Sequence, residues 1–193
     1  PNQQPIASEH AKHVDLSRRY AERFMDDAPI TAREARDMAD QAHGATQGAG
    51  AYGPSEMYDS MEAGLNKTLT NTDPTADLAT AQRTAHELAD KVRQLPTQTN
   101  RSGNKDSHQQ FGTPPHYAYA VGWLANLNPK DVVLEPSGGT GSLAVHAANS
   151  GATVVGNELD PKRAALLKMV TGGAVYGENA EQISAILGGK VKP

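Results

Sequence analysis

The 193-residue sequence predicts an α/β fold: three parallel strands that alternate with helices, preceded by an α-helical N-terminal region. Two observations support this prediction. Ala, Gln, Thr, Arg and Asp dominate up to about residue 110, whereas Val, Leu and Gly become dense after it. In the second half, short apolar runs alternate with helical segments, and such alternation builds a parallel sheet with crossover helices. We therefore expect a helical region over 1–95, a linker over 96–110 and an α/β domain over 111–193.

The first two elements are predicted to be short helices over 14–26 and 31–43. The second has clear boundaries in the sequence. Thr31 is a typical N-cap, and Glu34 follows three positions later, where a capping-box partner stands. Gly44 is a typical helix stop.

Two further helices complete the first half. One begins near Ser55 and carries apolar residues four positions apart. The next is predicted to begin after Asp73 as N-cap, with Pro74 at its first position, and its apolar residues recur at threes and fours to Leu95. Residues 96–110 contain almost nothing apolar and several turn formers, which indicates a linker or loop.

The second half alternates strictly between helices and strands, each bounded by Gly, Pro, Asn or Asp. The predicted elements are a helix over 115–127, a strand over 131–136, a helix over 142–150, a strand over 153–158, a helix over 161–170, a strand over 174–177 and a helix over 179–187.

Composition excludes disulfides and thiolate metal sites, whereas nucleic-acid binding is not excluded but only left without support from charge. The chain has no Cys, and its net charge of −4 provides no overall basic field for a nucleic-acid backbone. No apolar run approaches the roughly 20 residues that span a bilayer. The chain starts Pro-Asn-Gln-Gln, without an initiator Met or an apolar leader, so we expect a soluble, cytoplasmic protein, trimmed or excised from a larger one.

The turn after the first predicted strand reads "EPSGGTG" at 135–141. In an open parallel sheet, ligands bind outside the carboxyl ends of the strands, and this first turn faces the ligand. Gly138, Gly139 and Gly141 permit positive φ and remove the Cβ atoms that would hinder close approach to the main chain. The turn therefore predicts a binding site for a large ligand.

The next two strand ends carry polar residues that suit a nucleoside. Glu158 stands about twenty residues after the glycines, where an acid accepts hydrogen bonds from a ribose diol. Asp160, before Pro161, is more typical of an N-cap. Glu178 and Asn179 follow the third strand, where a polar side chain meets an adenine edge.

Neither G-x-G-x-x-G nor the phosphate-loop motif is present, so a dinucleotide or triphosphate is not indicated. Glu135 precedes the glycines, and a carboxylate there suits a cationic ligand better than a pyrophosphate. The segment "LEPSGGTG" resembles the cofactor-binding motif of the S-adenosylmethionine-dependent adenine-N6 DNA methyltransferases. That family also has a Phe-x-Thr-Pro segment ahead of the fold, and this chain has "QFGTPPHYA", with Phe111, Thr113 and Pro114 in those positions.

The resemblance covers residues 109–187 in order, because "NELD" is similar to the ribose-binding segment and "GENAEQI" to the adenine-contacting one. The sequence particularly resembles the amino-terminal methyltransferase module of strawberry-notch-like helicase-methylase (antirestriction) proteins of phages and plasmids. It implies a partial Rossmann-like sheet, S-adenosylmethionine as cofactor and DNA as partner. Gly139 departs from the motif, which usually has Ala there. The implied cofactor-binding residues are Phe111, Thr113, Pro114, Glu135, Ser137, Gly139, Gly141, Glu158, Glu178 and Asn179.

The catalytic tetrapeptide of that family, Asn or Asp followed by Pro-Pro and an aromatic residue, is absent, and the chain ends where a fourth strand would begin. No catalytic residue is therefore assigned, and two hypotheses remain. In one, the chain is the cofactor-binding part of an adenine-N6 methyltransferase. In the other, it is a catalytically inactive, methyltransferase-like binding protein of a mobile element, a counter-defence factor whose protein partner covers the open sheet edge.

Other charged and polar groups carry weaker indications. His10 and His13 lie one helical turn apart, but no carboxylate cluster at ligand spacing accompanies them, so we expect structural or solvated His and no metal site. The arginines of the first two helices alternate with acids, which is typical of a solvated face.

Overall fold

The computed structural model describes residues 10–26, 28–96 and 112–188. Within these ranges the predicted α/β fold is confirmed, with three parallel strands separated by helices. Short 3-10 turns follow α2 and α3 and precede the last helix. The elements are α1 (Ala11–Met25), α2 (Ala32–His43), α3 (Pro54–Thr68), α4 (Leu78–Arg93), α5 (Pro115–Ala125), β1 (Val132–Glu135), α6 (Ala144–Asn149), β2 (Thr153–Asn157), α7 (Pro161–Thr171), β3 (Ala174–Tyr176) and α8 (Ile183–Leu187).

The sheet has the order β1-β2-β3, and both strand pairs are parallel. Glu135 pairs with Gly156, and Asn157 pairs with Tyr176, so the carboxyl ends of neighbouring strands lie together. This register places the loops that follow the strands at one edge of the sheet.

The two faces of the sheet pack against different helices. Val154 faces α6 and α7 and belongs to a cluster with Leu167, whereas the next residue, Val155, packs with Ile183 of α8 on the opposite face. Because successive side chains of a strand alternate between faces, the middle of β2 presents apolar side chains, Val154 and Val155, to both layers. It holds the sheet between two layers.

The N-terminal helices form a further layer on the outer side of α7. Helices α1 and α3 pack against each other and against α7, and α4 packs on α5. One apolar cluster crosses between the two regions and includes Val14, Ala63, Tyr119, Val145 and Leu166. The helical and α/β regions therefore share a hydrophobic core. The predicted linker remains a prediction, since residues 97–111 lie outside the described ranges.

The predicted boundaries of α2 are confirmed. The hydroxyl of Thr31 accepts a hydrogen bond from the amide of Glu34 at 3.1 Å, and Gly44 ends the helix with φ +74°. The carboxylate of Glu34 does not complete a capping box, because it pairs with Arg23 of α1 at 2.7 Å. The acid thus joins two helices.

The predicted start of α4 is wrong by four residues. Asp73 accepts hydrogen bonds from the amide and hydroxyl of Thr75, both at 2.8 Å, and so closes a local turn. The helix begins at Leu78, and Asp77 is its N-cap, since its carboxylate accepts from the amide of Thr80 at 2.7 Å. Side chains of Asp favour turns as readily as caps, so the spacing of apolar residues alone did not separate the two.

Candidate functional site

The turn between β1 and α6 is tied to the tip of β2 by two backbone amides. The amide of Gly138 donates to the carbonyl of Asn157 at 2.8 Å. The amide of Gly139 donates to the Glu158 carboxylate, also at 2.8 Å. Gly139 has φ +55° and Gly141 has φ +96°, conformations that favour glycine. The two predicted components, glycine turn and acid, are therefore in direct contact.

Glu158 is held rigidly at the strand end. It is buried, with 8% of its surface exposed. One carboxylate oxygen accepts from Gly139, and the other accepts from the amide of Asp160 at 2.9 Å. Each oxygen keeps further acceptor capacity, because a carboxylate offers about four lone-pair sites. A hydroxyl group of a ligand therefore still finds an acceptor there.

Asn157 joins the three strand ends. Its side-chain amide donates to the carbonyl of Pro136 at 3.0 Å and to the carbonyl of Glu178 at 2.8 Å. Its side-chain oxygen accepts from the amide of Glu178 at 2.9 Å. It is 1% exposed, so these bonds hold the loops in place without competition from water. The sequence analysis missed this role; an Asn closing an apolar strand was the available indication.

A pocket of about 470 Å³ opens at the carboxyl ends of the three strands. Among the described residues, its lining has four carboxylates, those of Glu135, Glu158, Asp160 and Glu178, and one guanidinium, that of Arg163. Seven of the predicted cofactor-binding residues lie in its wall. They are Thr113, Glu135, Ser137, Gly139, Glu158, Glu178 and Asn179.

Two of the predicted residues that the structure describes do not line this pocket. The carbonyl of Pro114 accepts hydrogen bonds from Tyr117 and Ala118 at 3.0 Å, so this residue starts α5. Gly141 lies against α7, where an added Cβ would come within 3.0 Å of Val170. Phe111 lies outside the described residues.

The underside of the turn is filled by Leu167 of α7. A Cβ added at Gly138 would lie 2.5 Å from a methyl group of Leu167, and one added at Gly156 would lie 2.9 Å from the same methyl. At Gly141 the other methyl group would be 3.4 Å away. Leu167 is fully buried. Close packing therefore accounts for these glycines, which the sequence analysis explained at 138 and 141 by close approach of a ligand.

The helical region also contributes to the turn, through Asn66 of α3. Its side-chain amide donates to the carbonyl and the hydroxyl of Thr140, at 3.3 and 3.2 Å, and to the hydroxyl of Ser142 at 3.0 Å. Asn66 is fully buried. These contacts span more than 70 positions of sequence, so no local pattern indicated them. The site thus depends on docking of the helical layer.

Arg163, in the first turn of α7, is a further functional candidate that sequence reasoning missed. It lines the pocket while being only 3% exposed. A Cβ at Gly139 would lie 2.7 Å from its terminal nitrogen Nη2, and its Nε has no hydrogen-bond partner. A buried guanidinium therefore adjoins the glycine turn.

Among the described residues, His13, His43 and His146 are buried in the interior. The ring of His13 contacts that of His43 in a tilted arrangement, with centroids 4.9 Å apart, and burial lowers the pKa of His13 to about 4. Burial likewise lowers the pKa of His146 to about 4. The described ranges contain no group of three or more His, Cys, Asp or Glu that could hold a metal ion.

Among the helices of the described ranges, none combines the length and apolar composition that crossing a bilayer requires. Comparisons with protein-family models, curated proteins and solved structures found no match.

Proposed function

We propose that the pocket binds S-adenosylmethionine and that the chain is the cofactor-binding part of a DNA adenine-N6 methyltransferase with a Rossmann-like sheet. The observation that supports this proposal most directly is the contact, in the wall of the pocket, between the amide of Gly139 and the carboxylate of Glu158. A glycine turn and a neighbouring acid are the two elements that hold a nucleoside at a strand end.

Size and charge support this ligand. A volume of about 470 Å³ suits a ligand of drug or cofactor size. Four carboxylates against one guanidinium repel a pyrophosphate and attract a cationic sulfonium. In this proposal Glu158 accepts from the ribose, Glu178 or Asn179 meets the adenine, and Thr113 lies over the methionine end. The sequence similarity in "LEPSGGTG" supports the same assignment.

Bound S-adenosylmethionine would supply a methyl group on a sulfonium that is ready for transfer. The residues of this chain would hold the cofactor and shield it from water. Because the sequence contains no Asn/Asp-Pro-Pro-aromatic segment, we assign the chain cofactor binding and not the transfer step.

Isothermal titration calorimetry tests the proposal directly. We expect one molecule of S-adenosylmethionine to bind to each chain, and Glu158→Ala to weaken binding at least about tenfold because an acceptor facing the ligand is lost. Glu181→Ala, which removes an exposed acid just beyond the pocket, is the matched control and should leave the affinity unchanged. Absence of heat at millimolar cofactor, or equal affinity of Glu158→Ala and the wild type, would contradict the proposal.

A second candidate function is the protein-binding role. Three apolar residues of α5 are exposed and lie on one face: Tyr117 at 62%, Val121 at 54% and Leu124 at 72%. Within the described ranges, β1 and β3 each have one unpaired edge. An exposed apolar patch and an open edge are typical of a contact surface. Analytical ultracentrifugation and capture of proteins on the immobilised chain test this protein-binding role. A stable monomer that binds S-adenosylmethionine and retains no stoichiometric protein would argue against the role.

A further inference from the structure

The guanidinium of Arg163 is a buried positive charge beside the glycine turn. None of the ion pairs between described residues includes Arg163, although four carboxylates line the same pocket. Its side chain is buried and its Nε has no partner. Its neighbour Lys162 differs, since that ammonium pairs with Glu56 of α3.

The backbone fixes the position of this charge. The carboxylate of Asp160 caps α7 and accepts from the amides of Lys162 and Arg163, at 2.8 and 3.1 Å. The guanidinium extends from this first turn to the space beside Gly139. A buried charge without a partner destabilises the folded state, because it loses hydration and gains no counter-ion. Such an arrangement is typical of a site whose ligand supplies the missing charge.

We propose that Arg163 binds the carboxylate at the amino-acid end of the ligand, an inference that rests on the proposed binding of S-adenosylmethionine. The pocket combines four acids with one guanidinium, so it suits a zwitterion whose ammonium and sulfonium face the acids and whose carboxylate faces Arg163. A phosphate would bring at least one more negative charge among the same acids. Arg163 is thus a specificity residue for the amino-acid part of the ligand.

Calorimetry with three adenosine ligands tests the assignment. S-adenosylhomocysteine has the carboxylate, 5′-methylthioadenosine lacks the whole amino-acid end, and ADP has phosphates instead. The variant is Arg163→Met, which keeps an unbranched side chain without the charge. Lys162→Met, which removes a charge from the same helical turn, is the control.

We expect Arg163→Met to lower the affinity for S-adenosylhomocysteine about 10- to 100-fold while changing the affinity for 5′-methylthioadenosine less than about twofold. Lys162→Met should change neither affinity. The melting temperature of ligand-free Arg163→Met should be equal to or higher than that of the wild type, because an unpaired buried charge has been removed. A residue needed only for packing would lower it.

The outcomes separate the two proposals. If the wild type binds none of the three ligands, the proposed function itself fails. The wild type could bind S-adenosylhomocysteine while Arg163→Met weakens the binding of this ligand and of 5′-methylthioadenosine equally, or weakens the binding of neither. Either result would overturn only the role of Arg163. If the wild type binds ADP more tightly than S-adenosylhomocysteine, and Arg163→Met loses that preference, then the group that Arg163 binds is a phosphate and not a carboxylate.

Discussion

The packing of Leu167 under the glycine turn leads to a double-mutant prediction. This side chain is fully buried against Gly138, Gly141 and Gly156. Replacement of a buried Leu by Ala costs about 2–5 kcal/mol, and the cost rises with the cavity that remains. Glycines have no side chains that could move into the space, so we expect about 4 kcal/mol for Leu167→Ala.

The effect of adding a methyl group at Gly156 should change sign with the residue at 167. In the wild type, the Cβ of Gly156→Ala would lie 2.9 Å from Leu167, and such overpacking costs about 1–3 kcal/mol. In Leu167→Ala the same methyl group fills part of the cavity, and we expect it to stabilise by about 1 kcal/mol through burial and reduced backbone entropy. The coupling between the two changes is therefore about 3 kcal/mol.

Urea unfolding, followed by the fluorescence of the only Trp, Trp123, and by circular dichroism, measures all four proteins of the cycle. Leu166→Ala is the control, since Leu166 is equally buried but belongs to the cluster shared with the N-terminal helices. It should destabilise the fold without coupling to Gly156→Ala. Additivity within about 0.5 kcal/mol between the changes at 156 and 167 would refute the packing argument.

Two further predictions concern the helical layer and acid stability. Asn66→Ala leaves Thr140 and Ser142 without their shared hydrogen-bond donor. We therefore expect the free energy of unfolding, measured in urea, to fall by about 2–3 kcal/mol and the binding of S-adenosylmethionine to weaken. Unchanged affinity would show that the helical layer does not hold the turn. Burial lowers the pKa of His146 from 6.5 to about 4, so the unfolded chain binds a proton first as the pH falls. The free energy of unfolding should then decrease from pH 6.5 to pH 4, with up to about 3 kcal/mol from this residue. In urea titrations, His146→Gln should flatten the pH dependence of the free energy of unfolding, whereas His86→Gln, a change at an exposed residue, should not. Equal pH dependence in the two variants would contradict the assignment of this effect to His146.

Much of the fold was predictable because its determinants are local. Thr31 and Gly44 mark the ends of α2 through contacts within a few residues, and the alternation of apolar runs with helices led to the parallel sheet. Prediction failed at Asp73, where two nearby Asp residues competed for the cap of α4 and only the geometry of the chain decided between them.

In the candidate site, too, the residues with local sequence signals were predictable and those with distant partners were not. Glycine turn, acid and third strand end follow one another at regular spacing, so the sequence alone placed Gly139, Glu158 and Asn179 at one edge of the sheet. Arg163 and Asn66 had no such indication, because their importance comes from burial and from partners distant in sequence.

The sequence by itself determined the order of helices and strands and the acidic, glycine-rich character of the strand ends, since these depend on residue type and short spacing. Only the tertiary structure decided that α3 holds the glycine turn, that Leu167 fills its underside, and that the guanidinium of Arg163 lines the same pocket as four carboxylates. The physical reason is that burial and hydrogen bonding between distant segments arise when the layers pack, and no local pattern records them.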